Sequence, residues 1–148
     1  VIAHERDDRV KRLSGKIDRV LVDAPCTGLG TLRRNPDLKW RQSPEGVQEM
    51  VIKQTSILES AARLLKSGGR LVYATCSVLP QENEAIAEAF TERHNDFLVL
   101  NVGEILSELK VDGAASLCSG GDEGLRFLRL WPHRHQTDGF FAAVWQKI

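Results

Sequence analysis

The sequence predicts an α/β fold built around a parallel strand–helix–strand unit, and three observations carry that prediction. Two short apolar runs, Val20-Leu21-Val22-Asp23-Ala24-Pro25-Cys26 and Leu71-Val72-Tyr73-Ala74-Thr75-Cys76, lie about fifty residues apart. Both are short, β-branched and almost free of charge, as buried parallel strands are. A helix-patterned stretch separates them, which makes a βαβ unit. Parallel neighbours end at the same edge of the sheet, where open α/β sheets bind ligands. Two thiols, Cys26 and Cys76, and one carboxylate, Asp23, are therefore expected to converge on one crevice. Such a set suits covalent chemistry on an electrophilic ring carbon.

The elements follow in order. Residues 1–16 are polar and weakly patterned. Residues 17–22 read as the first strand, and residues 24–41 as a long loop carrying Pro25, Gly28, Gly30 and Pro36. Ser43-Pro44-Glu45 is a helix start: a hydroxyl cap, proline at the first helical position, then an acid at the positive end of the dipole. Val47, Met50, Val51, Leu58, Ala61, Ala62 and Leu65 then recur at a spacing that buries one face. Lys66 suits a last turn and Gly68-Gly69 a helix stop. Residues 70–74 form the second strand. Pro80 opens a helix that fades near His94-Asn95, with Ile86, Ala89 and Phe90 on one side. Residues 97–100 read as a third strand, 102–109 as a short helix and 117–124 as a Gly/Ser loop. Residues 127–130 and 140–145 close the chain as hairpin-like strands.

Composition bounds the function classes. The 148 residues are 42% hydrophobic and 27% charged, enough for one domain with a real core and unlike a disordered chain. No apolar stretch approaches the ~20 residues of a membrane span. The first residues lack signal-peptide form, and the cytoplasm is the expected compartment. Three cysteines without a close pair in sequence argue against a disulfide framework. Net charge is zero, so nucleic-acid binding must rest on a local patch. Arg33, Arg34, Lys39 and Arg41 form such a patch beside Trp40. Its place next to Cys26 favours contacts to RNA phosphate, with Trp40 either stacking on a base or packing in the core. Gly28 and Gly30 give a lone G-x-G with no helix at once behind it. That reads as a mobile active-site loop, not a phosphate cradle.

The motifs together are specific. Asp23-Ala24-Pro25-Cys26-Thr27-Gly28-Leu29-Gly30, Arg33-Arg34-Asn35-Pro36-Asp37-Leu38-Lys39-Trp40 and Tyr73-Ala74-Thr75-Cys76-Ser77-Val78 resemble the RNA (cytosine-5)-methyltransferases, within them the bacterial Sun/RsmB-type ribosomal RNA branch. Pro80-Gln81-Glu82-Asn83-Glu84 and Asp138-Gly139-Phe140-Phe141 fit the same pattern. The resemblance implies a class I methyltransferase with a Rossmann-like sheet, S-adenosylmethionine as methyl donor and ribosomal RNA as partner. It makes Cys76 the nucleophile that adds to carbon-6 of cytosine. Cys26 assists loss of the carbon-5 proton and product release. Asp23 sits between donor and base, and Glu5 corresponds to the acid near the adenine. No metal is implied.

The residues also make sense on their own. Thiolate is the reactive form, and a helix opening near Pro80 favours an anion at Cys76. The glycines beside Cys26 allow movement during release. A paired cytosine is out of reach, so the base must be unpaired or flipped.

The sequence departs from the family in having no glycine-rich first loop and no acid closing a preceding strand. The chain is therefore expected to be the C-terminal part of a catalytic domain, a partial Rossmann-like sheet lacking its first strands, with an antiparallel C-terminal strand. Alone it is expected to bind donor poorly, to be inactive, and to self-associate through an exposed sheet edge. Two rivals stay open: a DNA cytosine-5 methyltransferase, whose nucleophile is the Pro-Cys cysteine, and a non-catalytic α/β module that binds RNA or protein. The Thr-Cys-Ser motif argues against the first. Cys118, the pair His133 and His135, and Arg126, Arg129 and Arg134 read as structural or solvated residues. The helix spanning 47–65 reads as core packing.

Overall fold

The computed structural model describes residues 8–119 and 126–148. Six strands form one mixed sheet: β1 (Ile17–Asp23), β2 (Leu65–Thr75), β3 (Phe97–Val99), β4 (Cys118–Ser119), β5 (Phe127–Leu130) and β6 (Phe140–Lys147). Their order is β1-β2-β6-β5-β4, with β3 also on β6. The β1–β2 pair is parallel and every other pair antiparallel. Strand β6 is thus shared along its length: Leu128 to Leu130 face its start, and Phe97 to Val99 face its end. The helices are α1 (Asp8–Lys11), α2 (Leu38–Arg41), α3 (Pro44–Ala62), α4 (Glu84–Arg93), α5 (Val102–Glu108) and α6 (Pro132–His135).

Helix α3 starts where its cap residues place it, with the Ser43 hydroxyl accepting from the Gly46 N–H at 3.1 Å. It ends earlier than the glycines suggested. Its last carbonyls are taken by the segment that enters β1: Arg63 O accepts from Gly15 N at 3.0 Å and Leu64 O from Ile17 N at 2.9 Å. Leu65 is fully buried and already pairs with Ile17. Gly68 and Gly69 therefore lie inside β2, not after the helix. Between the Ile17–Leu65 and Arg19–Arg70 pairs, two steps along β1 oppose five along β2. Gly68, at φ +77°, makes that bulge possible. Lys66 bonds to Asp18 across it instead of capping the helix.

Alternation along β2 defines the layers. Leu71, Tyr73 and Thr75 are buried, while Arg70, Val72 and Ala74 are half-buried. Helix α3 covers the buried face with Leu58, Ala61 and Ala62, and α4 continues the layer with Ile86, Ala87 and Phe90. Phe90 is the hub of the aromatic core, edge-on to Trp145 at 4.9 Å and to Phe97 at 5.3 Å. The Trp145 indole N–H donates to Thr91 Oγ1 at 2.9 Å, so its one polar atom is satisfied.

Several sequence expectations are corrected here. Strand β1 is not a buried strand. Among the described residues it pairs only with β2, and only Val22 of its seven residues is buried, while Leu21 is 67% exposed. Residues 24–41 are not one loop; they hold a 3₁₀ turn (Leu29–Thr31) and α2. Residues 118–119 pair with β5, whereas 120–124 lie outside the described residues. Among the described residues no helix is long and apolar enough to cross a membrane.

Truncating the buried indole removes its edge-on contact with Phe90 and the hydrogen bond it donates to Thr91 Oγ1. Trp145→Ala is expected to destabilise the fold by about 3–5 kcal/mol. Denaturant titration of the purified variant checks this, and a loss under about 1 kcal/mol contradicts the core assignment.

Candidate active site

Strand pairing brings the two cysteines together. Asp23 pairs with Ala74 as the last register position, and Ala24 N donates to Ala74 O at 2.9 Å. Each chain then leaves the same edge of the sheet, one toward Cys26 and the other toward Cys76. The two sulfurs end 3.4 Å apart, both half-buried and both free thiols. The convergence of the two thiols expected from the sequence is realised in the fold.

A seam of backbone contacts holds this arrangement. Gly30 N donates to Cys76 O at 2.9 Å, and Gly139 N donates to Gly30 O at 2.8 Å. A Cβ at Gly30 would lie 2.3 Å from Gly139 O and 2.6 Å from Cys76 O, so no side chain fits. The Gly28–Gly30 segment is a stitched crossing of three chain segments and not the open loop expected from its composition. Glycine is required at position 30 for close approach.

Behind the thiols lies a buried polar cluster centred on Glu82, which is fully buried. Its Oε1 accepts from Thr27 N at 2.9 Å and from Gln54 Nε2 at 3.0 Å. Its Oε2 accepts from the Thr27 hydroxyl at 2.6 Å and from the Ser77 hydroxyl. Gln54 Nε2 also donates to Pro25 O at 2.9 Å. Next along the chain, Asn83 accepts from the Thr75 hydroxyl and donates to Ser77 O. The Tyr73 hydroxyl donates to Glu82 O at 2.6 Å. Burying a carboxyl costs several kcal/mol unless donors surround it, and hydrogen bonds to a charged acceptor contribute about 1.5–3 kcal/mol each. Four donors meet that condition.

Two of these residues were not assigned by the sequence. Gln54 sat inside a helix read as core packing, and Glu82 in a motif noted only for its resemblance. A polar residue at a position that the 3–4 spacing turns inward was the available signal for Gln54. Arg129 corrects a further expectation: it is 3% exposed, not part of a solvated face. It donates to Val78 O at 3.0 Å, lies 3.3 Å from Glu84 and stacks 4.3 Å from the Trp131 ring centroid. The turn after Cys76 is thus held from both sides. That turn is a 3₁₀ segment (Pro80–Glu82), and α4 begins only at Glu84, so no α-helix opens at Pro80 itself.

The remaining candidates divide. Asp23 is exposed at the end of β1, and among the described residues its carboxylate has no hydrogen bond or ion pair. The backbone N–H that follows it in the chain, Ala24 N, is engaged with Ala74 O. Glu5 lies outside the described residues. Arg34 is exposed and ion-paired with Asp138, donating from Nε at 2.9 Å, and Arg33 donates to Gln136 O at 3.2 Å. Both arginines thus tie residues 33–34 to residues 136–138, and the Arg34 guanidinium holds the Asp138 carboxyl below the usual range. Trp40 is 81% exposed with Lys39 Nζ 4.9 Å from its ring centroid, which rules out the core role. His135 is a structural residue of α6, accepting from Trp131 N and facing Ser116 O. Among the described residues no His, Cys, Asp and Glu cluster could hold a metal.

Burial pushes the Cys26 thiol up to about 12; hydrogen bonds from the Gly28 and Cys76 backbone pull the other way, and the Cys76 sulfur adds to the rise. An unfolded chain loses this proton near 9.0. Between those values the unfolded chain binds fewer protons than the fold, so this thiol lowers stability as pH rises from about 9 to about 12, and costs nothing below that window. Alkylation of Cys26, followed by mass spectrometry of its peptide, is expected to accelerate with pH without levelling off up to about pH 10. A plateau near pH 8–9 contradicts the raised value.

Comparison with known proteins gives a consistent picture. Residues 1–146 match the family described as 16S rRNA methyltransferase RsmB/F. The chain is 42% identical over 131 residues to a "Probable ribosomal RNA small subunit methyltransferase B" of Synechocystis sp., covering 88% of this chain and 27% of that protein. It is 38% identical over 126 residues to ribosomal RNA small subunit methyltransferase B of Pectobacterium atrosepticum, covering 85% and 25%. The chain thus spans about a quarter of the length of these curated relatives. Among solved structures, NSun6 from Pyrococcus horikoshii with SFG superposes at a TM-score of 0.75 and 27% identity, over 99% of this chain and 34% of that one. A methyltransferase homolog from Pyrococcus horikoshii gives 0.70 at 28% identity, over 95% and 42%. By sequence and by fold, the chain belongs to the RsmB/F family of 16S rRNA methyltransferases.

Proposed function

We propose that the chain is the C-terminal part of a catalytic domain that methylates carbon-5 of a cytosine in ribosomal RNA, with Cys76 as nucleophile. The observation that carries this reading is the 3.4 Å approach of two sulfurs from adjacent parallel strands at one sheet edge. In this scheme the Cys76 thiolate adds to carbon-6, and the electrons of the 5,6 double bond pass to carbon-5. S-adenosylmethionine, when bound, supplies the methyl group that carbon-5 takes up. Cys26 then helps remove the carbon-5 proton. The carbon–sulfur bond breaks, the double bond returns and Cys76 leaves as thiolate.

The state of Cys26 supports this division of labour. A thiol with a pKa of about 12 is ionised in roughly one molecule in 10⁵ at pH 7. It is a poor resting nucleophile, which weighs against the DNA-type assignment of Cys26 to the attack. Cys26 can accept the carbon-5 proton only after its own thiol proton has left, so its part in that step requires ionisation in the RNA-bound complex.

Donor binding rests partly on this chain. Asp23 presents an unpaired carboxylate at the carboxyl edge of β1, where it can accept hydrogen bonds from donor or base. A relative was solved with SFG, an analogue of S-adenosylmethionine. Glu5 is the further candidate near the adenine. The sequence holds no glycine-rich donor loop, so the 148 residues by themselves are inactive in this reading. The outer edge of β1 accepts the remaining strands, or a second copy in their absence. The setting is cytoplasmic in this reading, in keeping with a ribosomal RNA substrate.

Arg33, Arg34, Lys39 and Trp40 are the RNA-facing residues. All four are exposed; Arg33 and Arg34 follow the Gly30–Cys76 seam closely in the chain, and Gln42, two residues past Trp40, donates to Thr27 O at 2.9 Å. Trp40 offers a bare indole face to an unpaired base, and Lys39 offers a phosphate contact.

Two measurements on the full-length protein test this reading. With RNA carrying 5-fluorocytosine and methyl donor, a covalent adduct is expected that Cys76→Ala abolishes and Cys26→Ala retains. An adduct mapped to Cys26 transfers the reading to the DNA-type mechanism, and no adduct with any RNA transfers it to a binding module. In equilibrium titrations with unpaired RNA, Trp40→Ala is expected to weaken binding by roughly 5–150-fold, the worth of about 1–3 kcal/mol of stacking. Lys39→Ala is expected to lower the salt slope by about one. Wild-type affinity in Trp40→Ala removes the stacking role.

A further inference from the structure

We infer that Glu82 is a positioning residue that sets the spacing of the two thiols, an inference that rests on the catalytic roles proposed for Cys26 and Cys76. The two cysteines sit on separate segments, and among the described residues the direct side-chain contacts between them are the 3.4 Å approach of the sulfurs and the Thr27–Ser77 hydroxyl pair. Each is followed at once by a residue whose side chain ends on the same carboxyl group: Thr27 after Cys26 and Ser77 after Cys76. The Thr27 N–H also ends there, so the first segment is gripped by backbone as well as hydroxyl. Through Gln54, the same carboxyl reaches Pro25 O on the other side of Cys26.

The donors are all on the partners and the acceptors all on Glu82. No other side chain among the described residues bonds to both segments except the Thr27–Ser77 hydroxyl pair at 3.3 Å, which itself lies on Glu82. Thr27, Gln54, Ser77 and Glu82 are all buried, so water cannot take over the bonds. Glu82 does not touch a sulfur. It acts by holding the neighbours of both sulfurs, and a misplacement of about 1 Å in such a pair can cost about 10²-fold in rate.

The experiment uses the full-length protein with every cysteine other than Cys26 and Cys76 replaced by alanine, Cys118 among them, so that these two report. A bifunctional bimane, fluorescent only after both ends have reacted with thiols, measures their spacing without RNA or donor. Steady-state methylation measures kcat and KM in parallel. Glu82→Ala is expected to lower bridging at least 5-fold at equal total thiol labelling, and to lower kcat about 10²-fold with KM for RNA and donor within about 3-fold. Glu82→Gln keeps one acceptor oxygen for Thr27 N and Gln54, while the two hydroxyls can turn to accept from its amide. It is expected to recover bridging to within about 3-fold of wild type and most of kcat.

Wild-type bridging and kcat in Glu82→Ala overturn the inference. So does a KM that rises with kcat unchanged. If Glu82→Ala does not fold, Glu82→Asp, whose shorter arm cannot reach all four donors, carries the test: a several-fold fall in bridging and kcat at unchanged KM and melting temperature supports the role, and wild-type bridging and kcat overturn it. Bridging needs no chemistry on RNA. A failure of the cysteine mechanism, read from Cys76→Ala retaining methylation, is therefore distinguishable from a failure of the Glu82 role.

Discussion

The parallel pairing of β1 with β2 is the constraint on which the rest of the molecule depends. Antiparallel strands would send Cys26 and Cys76 to opposite ends of the sheet. Parallel strands send them to one edge, and the register that pairs Asp23 with Ala74 brings them out nearly level. Parallel pairing requires a crossover, which α3 supplies by covering Val22, Leu71 and Tyr73 with Leu58, Ala61 and Ala62. The apolar face of one helix is therefore the indirect cause of the approach of two thiols.

Strand pairing brings the cysteines near each other but does not hold the two loops that carry them. That second task falls to polar groups beneath the site. Glu82, Asn83 and Gln54 take up the hydroxyls, amides and carbonyls of residues 25–27 and 75–77, and Arg129 and Gly30 hold the flanking turns. Such a cluster is costly when incomplete and stiff when satisfied. It belongs under a site whose two reactive atoms must keep a spacing set by one pyrimidine ring. The raised Cys26 thiol is another consequence of the same enclosure, because burial is the largest cause of its shift.

The RNA-facing side is built differently. Arg33 and Arg34 are spent partly on residues 136–138, so their charge is shared between protein and solvent. Trp40 and Lys39 form an exposed pair with no comparable anchor. A rigid catalytic edge beside an adaptable binding surface fits a substrate whose base must be presented out of a folded RNA.

The sequence by itself determined the α/β class, both strand ends bearing cysteines, the capped start of α3 and the short C-terminal strands, because local periodicity and cap chemistry encode these. It also determined the family, through ordered motifs. Tertiary structure alone decided that β1 is an outer strand with Leu21 in solvent, since exposure depends on which neighbours pair with it. It decided that Gly68 and Gly69 bulge within β2, because the pull of buried Leu65 ended the helix before the glycines could. Likewise Glu82 and Gln54, to which the sequence assigned no role, and Arg129, which it read as solvated, became interior. Their partners lie up to 55 residues away in the chain, and no local pattern records a contact made at that distance.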